Sequence, residues 1–345
     1  MTMTERGDDR VLVVDDASFD DHEDIRPHPE CPERLTAARS GLEGAVPAGQ
    51  RIDVPTRWAT TAELSRVHTA DYLARLDQAL GRPNVRIDAD TYVSAGSREA
   101  VFRAAGGAIS LVDELLARRG TSGVALVRPP GHHATDRAAM GFCLVNHVAV
   151  AAAAALAGGA ERVAIIDWDV HHGNGTEAIF AEDPRVLFVS LHQFPFYPGT
   201  GPADYVGRGA GRGTTVNIAL PAGTDSAAYG YAWTTVVEPI VRRFAPSLVI
   251  VSAGFDAHQR DPLGGLELET ATFGALTTAV RALELPSAYF LEGGYDLRAL
   301  EESVGAMGRA LVGEAVALPE DAPSQAARDA VDRTHSVHEA ILASA

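Results

Sequence analysis

Short apolar runs alternate along this chain with longer stretches in which alanine, leucine and valine recur every three or four positions. A short β-branched run bounded by turn residues predicts a buried strand, and a 3.6-residue apolar period predicts a helix with one buried face. Strands are therefore expected at 11–15, 124–127, 163–168, 186–191, 214–220, 248–253 and 288–292. Helices are expected at 96–118, 143–156, 227–244 and 267–283, with a last one near 326–343 that packs on the body or on another subunit. This alternation predicts an α/β fold around a mostly parallel sheet.

The polar residues that break the pattern cluster directly after strands. PPGHH follows residue 127, DWDVHHGN follows 166, LHQFPFYPGTG follows 190, GFD follows 253 and EGGYD follows 291. The carboxyl ends of strands form the ligand crevice of an open α/β sheet, so five strand ends are expected to converge on one site. The run GRGAGRG at 207–213 neither opens a helix nor precedes a Lys-Ser/Thr pair. It is expected to be a flexible loop on the rim rather than a phosphate-binding loop.

Composition narrows the class. The chain has 345 residues, 46% hydrophobic and 22% charged, which fits a soluble globular protein with a large core. No linker separates two patterned halves, so one domain is expected over 1–345, with a helical extension from about 316 to 345. The net charge of −17 is spread along the chain; it disfavours nucleic acid and anionic membranes and favours a cationic ligand. Cys31 and Cys143 are too few for a disulfide framework and are expected as free thiols in a reducing compartment. The N-terminus has no basic segment leading into an apolar one, and the most apolar stretch, 145–157, is too short to span a bilayer. A cytoplasmic location follows as the expectation.

Side chains alternate along an extended segment, so 167, 169 and 171 in DWDVHH point to one side. Asp169 and His171 can then address one point, and Asp256 in SAGFDAH is the obvious third candidate. Three ligands with an open fourth position are the arrangement of catalytic zinc. An isolated Asp-x-Asp-x-His run is more often a solvated loop, but apolar strands run into both 167 and 256. His171 argues against magnesium, which prefers all-oxygen surroundings. PPGHHA supplies two adjacent imidazoles, His132 and His133, suited to proton transfer beside a metal, and Asp167 and Asn174 are left to fix their tautomers. In EGGYD, two glycines let the backbone approach closely and carry Tyr295 toward the crevice, where its hydroxyl could donate to a developing oxyanion.

Several of these motifs stand in a familiar order. From HPECPERL at 28–35, through PPGHHA, GFC at 141–143, IIDWDVHHGNGT, SLHQF at 190–194 and SAGFDAH followed by DPLGG, to EGGYD, the chain resembles the histone deacetylase superfamily. The resemblance is specifically to its class II and bacterial amidohydrolase branch. The resemblance implies a single-domain, three-layer αβα fold of the arginase/deacetylase kind. It also implies a zinc ion held by Asp169, His171 and Asp256, a set that ferrous iron also accepts. His132 and His133 would stand beside the attacking water, partnered by Asp167 and Asn174, with Tyr295 facing the substrate carbonyl. A structural potassium ion would use Asp167, Asp169 and Ser190 with backbone oxygens of residues such as His171 and Leu191.

The implied reaction is hydrolysis of an amide, with zinc and Tyr295 polarising the acyl oxygen and His133 taking the proton of water. Asn174 stands where class I members carry Asp; a neutral amide stabilises imidazolium less, which leaves His133 the readier base. Gly141, Phe142 and the pair Phe196-Tyr197 would line a narrow channel for an alkyl chain. Two positions depart from the family pattern, Tyr197 where Phe is usual and His147 where a second Asn follows Asn146, and Leu263 stands where the polyamine-specific pattern has Glu. Leu263 and the lack of an insertion in HPECPERL favour acyl-lysine, on a protein or peptide, as substrate. Asp90 resembles a rim carboxylate that binds substrate backbone. The alternatives are hydrolysis of an acetylpolyamine or other small acetylated amine, and a non-catalytic acyl-lysine binding module. An arginase-like enzyme would need a second set of Asp and His ligands, which the sequence lacks. A homo-oligomer is compatible with the last helix.

Overall fold

A computed structural model describes residues 10–82, 84–118 and 122–343. Residues 1–9, on which part of the N-terminal reading rests, and 344–345, the end of the expected extension, lie outside the described residues.

Ten strands are described: β1 (Val11–Val14), β2 (Arg51–Asp53), β3 (Val85–Arg86), β4 (Tyr92–Val93), β5 (Ser122–Ala125), β6 (Val163–Asp167), β7 (Val186–Gln193), β8 (Thr215–Leu220), β9 (Leu248–Ala253) and β10 (Ser287–Leu291). Eight of them form one parallel sheet in the order β2-β1-β5-β10-β9-β6-β7-β8, and β3 and β4 make a separate antiparallel hairpin. Every residue of β6 and β9 is buried, as in a parallel sheet covered on both faces, and Ile165 lies beside Ile250 in their register. Burying each such side chain contributes about 1.5–3 kcal/mol.

Helices flank the sheet and complete the three-layer α/β architecture. They are α1 (Glu33–Ala45), α2 (Thr61–Leu64), α3 (Ala70–Leu80), α4 (Ser97–Arg118), α5 (His147–Ala157), α6 (Asn174–Phe180), α7 (Ser226–Ala232), α8 (Glu238–Phe244), α9 (Thr270–Arg281), α10 (Leu297–Leu311) and α11 (Gln325–Leu342). α4 packs on α5, while α1, α10 and α9 pack in succession. α11 lies on β8, where the Thr334 hydroxyl donates to the Asn217 carbonyl at 2.7 Å. No helix among the described residues is long and apolar enough to cross a membrane.

Three expectations need correction. The helix expected from 143 starts at His147, because the Asn146 side chain accepts the Ala149 N–H at 2.9 Å and caps it. Cys143 instead pairs with Met140 in an extended bridge. The helix expected over 227–244 is α7 and α8 joined by a π-turn at Trp233–Val237. Pro239, near the start of α8, cannot donate to a carbonyl one turn back, and the wider turn accommodates it. Finally, GRGAGRG is not at the rim of the crevice: it leads into the amino end of β8, at the end of the strands away from the crevice, with Arg208 N–H donating to Ala181 O at 2.7 Å. A Cβ on Gly211 would stand 2.6 Å from that same carbonyl, so glycine serves close packing there.

Candidate active site

The segment after β6 and the segment after β9 bring three donors together. Asp169, His171 and Asp256 each offer one ligand atom, all within 4.8 Å of one another. His171 Nδ1 lies 3.1 Å from Asp169 Oδ1 and 3.2 Å from Asp256 Oδ2. Both carboxylates are fully buried. Backbone N–H groups fix them: His171 N and Gly293 N donate to Asp169 at 2.9 and 2.8 Å, and Val170 N donates to Asp256 at 2.8 Å. The glycines of GFD and EGGYD make room for this. A Cβ on Gly254 would stand 2.2 Å from Asp169 Oδ2, and one on Gly293 would stand 1.9 Å from Asp256 Oδ2.

Burial, then the neighbouring Asp169 charge, pushes the Asp256 carboxyl up to about 7. Burial works against a charge on His171, but hydrogen bonds to Asp169 and Asp256 outweigh it and raise the imidazole to about 10. Two buried carboxylates and one imidazole thus compete for positive charge at a single point, which a divalent cation satisfies better than a proton. The O, N, O donor set fits zinc or ferrous iron.

The loop after β5 carries the two other imidazoles. His132 Nδ1 donates to Asp167 Oδ2 at 3.0 Å and His133 Nδ1 to Asn174 Oδ1 at 2.7 Å, since a carboxylate and an amide oxygen only accept. Their ring centroids are 4.0 Å apart. Their environments push them in opposite directions. Burial opposes protonation of His132, but the charges of Asp169, Asp167 and Glu292 raise it well above the usual histidine range. Burial, then His132 and His171, holds His133 well below that range. Such a split pair can hold a proton on one ring and accept one on the other.

Tyr295 reaches the site from β10. Its backbone N–H and that of Asp296 donate to Asp261 Oδ2 at 2.6 and 3.2 Å, and the Arg34 guanidinium lies 4.8 Å from its ring centre. Burial pushes the phenol well above its usual range, so it is a neutral donor.

These groups meet in a cavity of about 180 Å³ lined by Pro130, His132, His133, Gly141, Phe142, His171, Tyr197, Leu263, Gly293 and Tyr295, with Asp90 at its edge. Four of the five strand-end segments line it, and the fifth, GFD, supplies Asp256 to the cluster with Asp169 and His171, so the convergence expected from the strand pattern is what the structure shows. The β3–β4 hairpin is a sixth contributor that the pattern did not reveal. It presents Asp90, and its Thr91 hydroxyl accepts the Phe142 N–H at 3.2 Å. Phe196, expected beside Tyr197 in the wall, stacks on His171 at 5.4 Å. Of the residues assigned to potassium, Asp167 and Ser190 are register neighbours on β6 and β7. The Ser190 hydroxyl bonds His192 Nδ1 at 2.9 Å, and the Leu191 carbonyl accepts the Tyr229 hydroxyl at 3.2 Å.

The sequence reading assigned no supporting role to several other residues. Glu292, fully buried after β10, accepts the N–H groups of Gly131 and His132 at 2.7 and 3.1 Å and so holds the histidine loop. His147 reaches the same loop, with Nε2 3.1 Å from the Pro129 carbonyl. Glu30 and Arg34 of HPECPERL are buried with Arg128 in one charge cluster. Arg34 also donates to the carbonyls of Gly294, at 2.7 Å, and Glu292, which shapes the Tyr295 turn.

Comparison with known proteins agrees with this geometry. Residues 28–311 match the family described as histone deacetylase domain. The chain is 37% identical over 342 residues to "Histone deacetylase 14, chloroplastic" of Arabidopsis thaliana, covering 90% of this chain and 81% of that protein. It is 38% identical over 283 residues to a "Probable deacetylase" of Archaeoglobus fulgidus, covering 80% and 79%. The crystal structure of the HDA15 HD domain superposes with a TM-score of 0.91 at 38% identity, over 97% of this chain and 96% of that one. The chain belongs to the histone deacetylase family of hydrolases.

Proposed function

We propose that the protein is a zinc-dependent deacylase that removes acetyl or other acyl groups from lysine side chains of proteins or peptides. One observation supports this above the rest: a narrow cavity ends where His132, His133, His171 and Tyr295 face one point, with Asp169 and Asp256 directly behind. A zinc ion held by Asp169, His171 and Asp256 would supply Lewis-acid polarisation of the acyl carbonyl and a lowered pKa for the attacking water. Ferrous iron would fit the same donors. His133, its Nδ1 proton tied to Asn174, presents Nε2 as the acceptor for the water proton. His132, kept cationic beside Asp167, is placed to return a proton to the leaving amine. The Tyr295 hydroxyl donates to the oxygen that becomes negative at the tetrahedral stage. Gly141, Phe142, Tyr197 and Leu263 wall the acyl-bearing chain, and Asp90 at the rim accepts substrate backbone N–H groups. Potassium at Asp167, Asp169, His171, Ser190 and Leu191 would steady the loop after β6.

The Asp90 carboxylate in the cavity lining, with Asp88 accepting its backbone N–H, favours a second reading, hydrolysis of acetylpolyamines or other small acetylated amines, because it would attract a distal ammonium. Leu263 in the wall supports the first reading. The two free thiols suit a reducing, cytoplasmic setting. Amine release from an acetyl-lysine peptide and from acetylputrescine, measured side by side on zinc-loaded protein with Asp256→Ala as blank, separates the readings. Faster peptide cleavage is expected; faster acetylputrescine cleavage would transfer the assignment to small amines, and turnover of neither would overturn both.

A further inference from the structure

The channel wall holds one polar atom that the proposed chemistry leaves unused. Tyr197 lines the cavity with its ring edge-on to His133, centroids 5.2 Å apart, and also edge-on to His171 at 6.0 Å. Its hydroxyl lies beside Gly141: a Cβ built on that glycine would stand 3.0 Å from the Tyr197 oxygen and 2.4 Å from His133 Cδ2. The hydroxyl is therefore at the depth of the His133 ring, inside the channel. It makes no hydrogen bond to any described residue. The residue is 38% exposed, so water satisfies the hydroxyl until a substrate chain displaces it.

Resting on the deacylase reading, we infer that Tyr197 is a specificity residue whose hydroxyl donates to a hydrogen-bond acceptor on the substrate's linker, selecting acyl amides whose chain carries an oxygen where lysine has a methylene. The reasoning is one of unequal costs. An all-methylene chain pushes water off the hydroxyl and offers nothing in return, whereas an ether or hydroxyl oxygen replaces the lost bond. Burial, reinforced by Asp90, keeps the phenol protonated, so it acts as a donor rather than as a phenolate. Apart from the groups assigned to the metal and to catalysis, the neighbouring wall residues Gly141, Phe142 and Leu263 offer no side-chain donor that could compete.

The test uses three peptides on zinc-loaded wild type and Tyr197→Phe: one with acetyl-lysine, one with an ether oxygen in place of the γ-methylene, and one with a hydroxyl on the δ-carbon. The partial exposure of Tyr197 means that loss of its hydroxyl disturbs no core packing. The expected result is a crossing. Relative to wild type, Tyr197→Phe cleaves the all-methylene peptide better and at least one oxygen-bearing peptide worse, by about three- to tenfold each in kcat/KM. The change should fall in KM, with kcat nearly unchanged, because a linker contact binds ground and transition states alike. An identical rank order of the three peptides in both proteins would overturn the specificity role. Absence of turnover of any peptide by the wild type would instead overturn the deacylase reading, and this inference with it.

Discussion

Gly293→Ala is the smallest change that reaches the centre of the site. The new methyl carbon would stand 1.9 Å from Asp256 Oδ2 and 2.6 Å from Asp169 Oδ2, while the backbone φ of Gly293 lies outside the left-handed region and tolerates alanine. Non-bonded heavy atoms settle near 3.5 Å, so the Asp256 carboxylate must retreat by on the order of 1 Å. Metal–ligand distances tolerate only about 0.2 Å, so the retreat removes a ligand. Loss of a supporting contact already costs about 10- to 100-fold in metal affinity, and a displaced ligand should cost at least the upper end of that. Zinc affinity by competition with a chromophoric chelator, with circular dichroism as a check on folding, reads the effect. Gly49→Ala, where a Cβ would meet nothing within 4 Å, is the control and should bind zinc like wild type. A folded Gly293→Ala protein whose zinc affinity stays within threefold of wild type would refute the placement of the two carboxylates.

Three more outcomes are expected. Asn174→Ala frees the His133 ring to rotate and should lower kcat by roughly 10- to 100-fold with little change in KM, as steady-state kinetics on an acetylated peptide would show; Asn174→Asp should retain activity. Burial disfavours the Glu30 carboxylate, but Arg128, His22 and Arg34 outweigh it and hold the group near 2, below its usual value of 4.5. The stability it contributes is therefore complete above about pH 4.5 and lost as pH falls toward 2. Glu30→Gln should cost about 3–5 kcal/mol near neutral pH, by urea denaturation, and flatten this acid-side decline. All 29 basic side chains are arginine, with no lysine anywhere in the chain. An amine-directed acetylating reagent should consequently leave activity intact, and a loss of activity under that reagent would show that another nucleophile near the site is reacting.

Legibility in the sequence tracked how local the cause of each feature was. LVIVSA at 248–253 is β9 residue for residue, because a run buried on both faces announces itself. α1 and α10 went unseen although α10 buries Leu300, Val304, Met307 and Leu311 at helical spacing with Asp296 as its cap. Glycine within both segments lowers their intrinsic helix propensity. In the folded chain these glycines are contact points: a Cβ on Gly41 would stand 2.2 Å from the Glu301 carbonyl and one on Gly308 2.9 Å from the Ala45 side chain, so glycine lets the two helices approach closely. β2, β3 and β4 are two or three residues long, too short to show a period. The metal-cluster and histidine-loop residues sit in compact motifs at strand ends and were visible. Their supports were not: Glu292 meets Gly131 and Arg34 meets Gly294 across 161 and 260 positions of sequence, and no spacing rule connects them.

The most direct test of the account is the metal centre itself. Wild type and Asp256→Ala, both freed of metal and titrated with zinc, should be compared by stoichiometry and X-ray absorption. The account predicts one tightly bound zinc per wild-type chain, with a first shell of one nitrogen and otherwise oxygen donors, and a large loss of affinity in Asp256→Ala. Equal zinc binding by both proteins, or a sulfur donor from Cys31 or Cys143 in the shell, would contradict it.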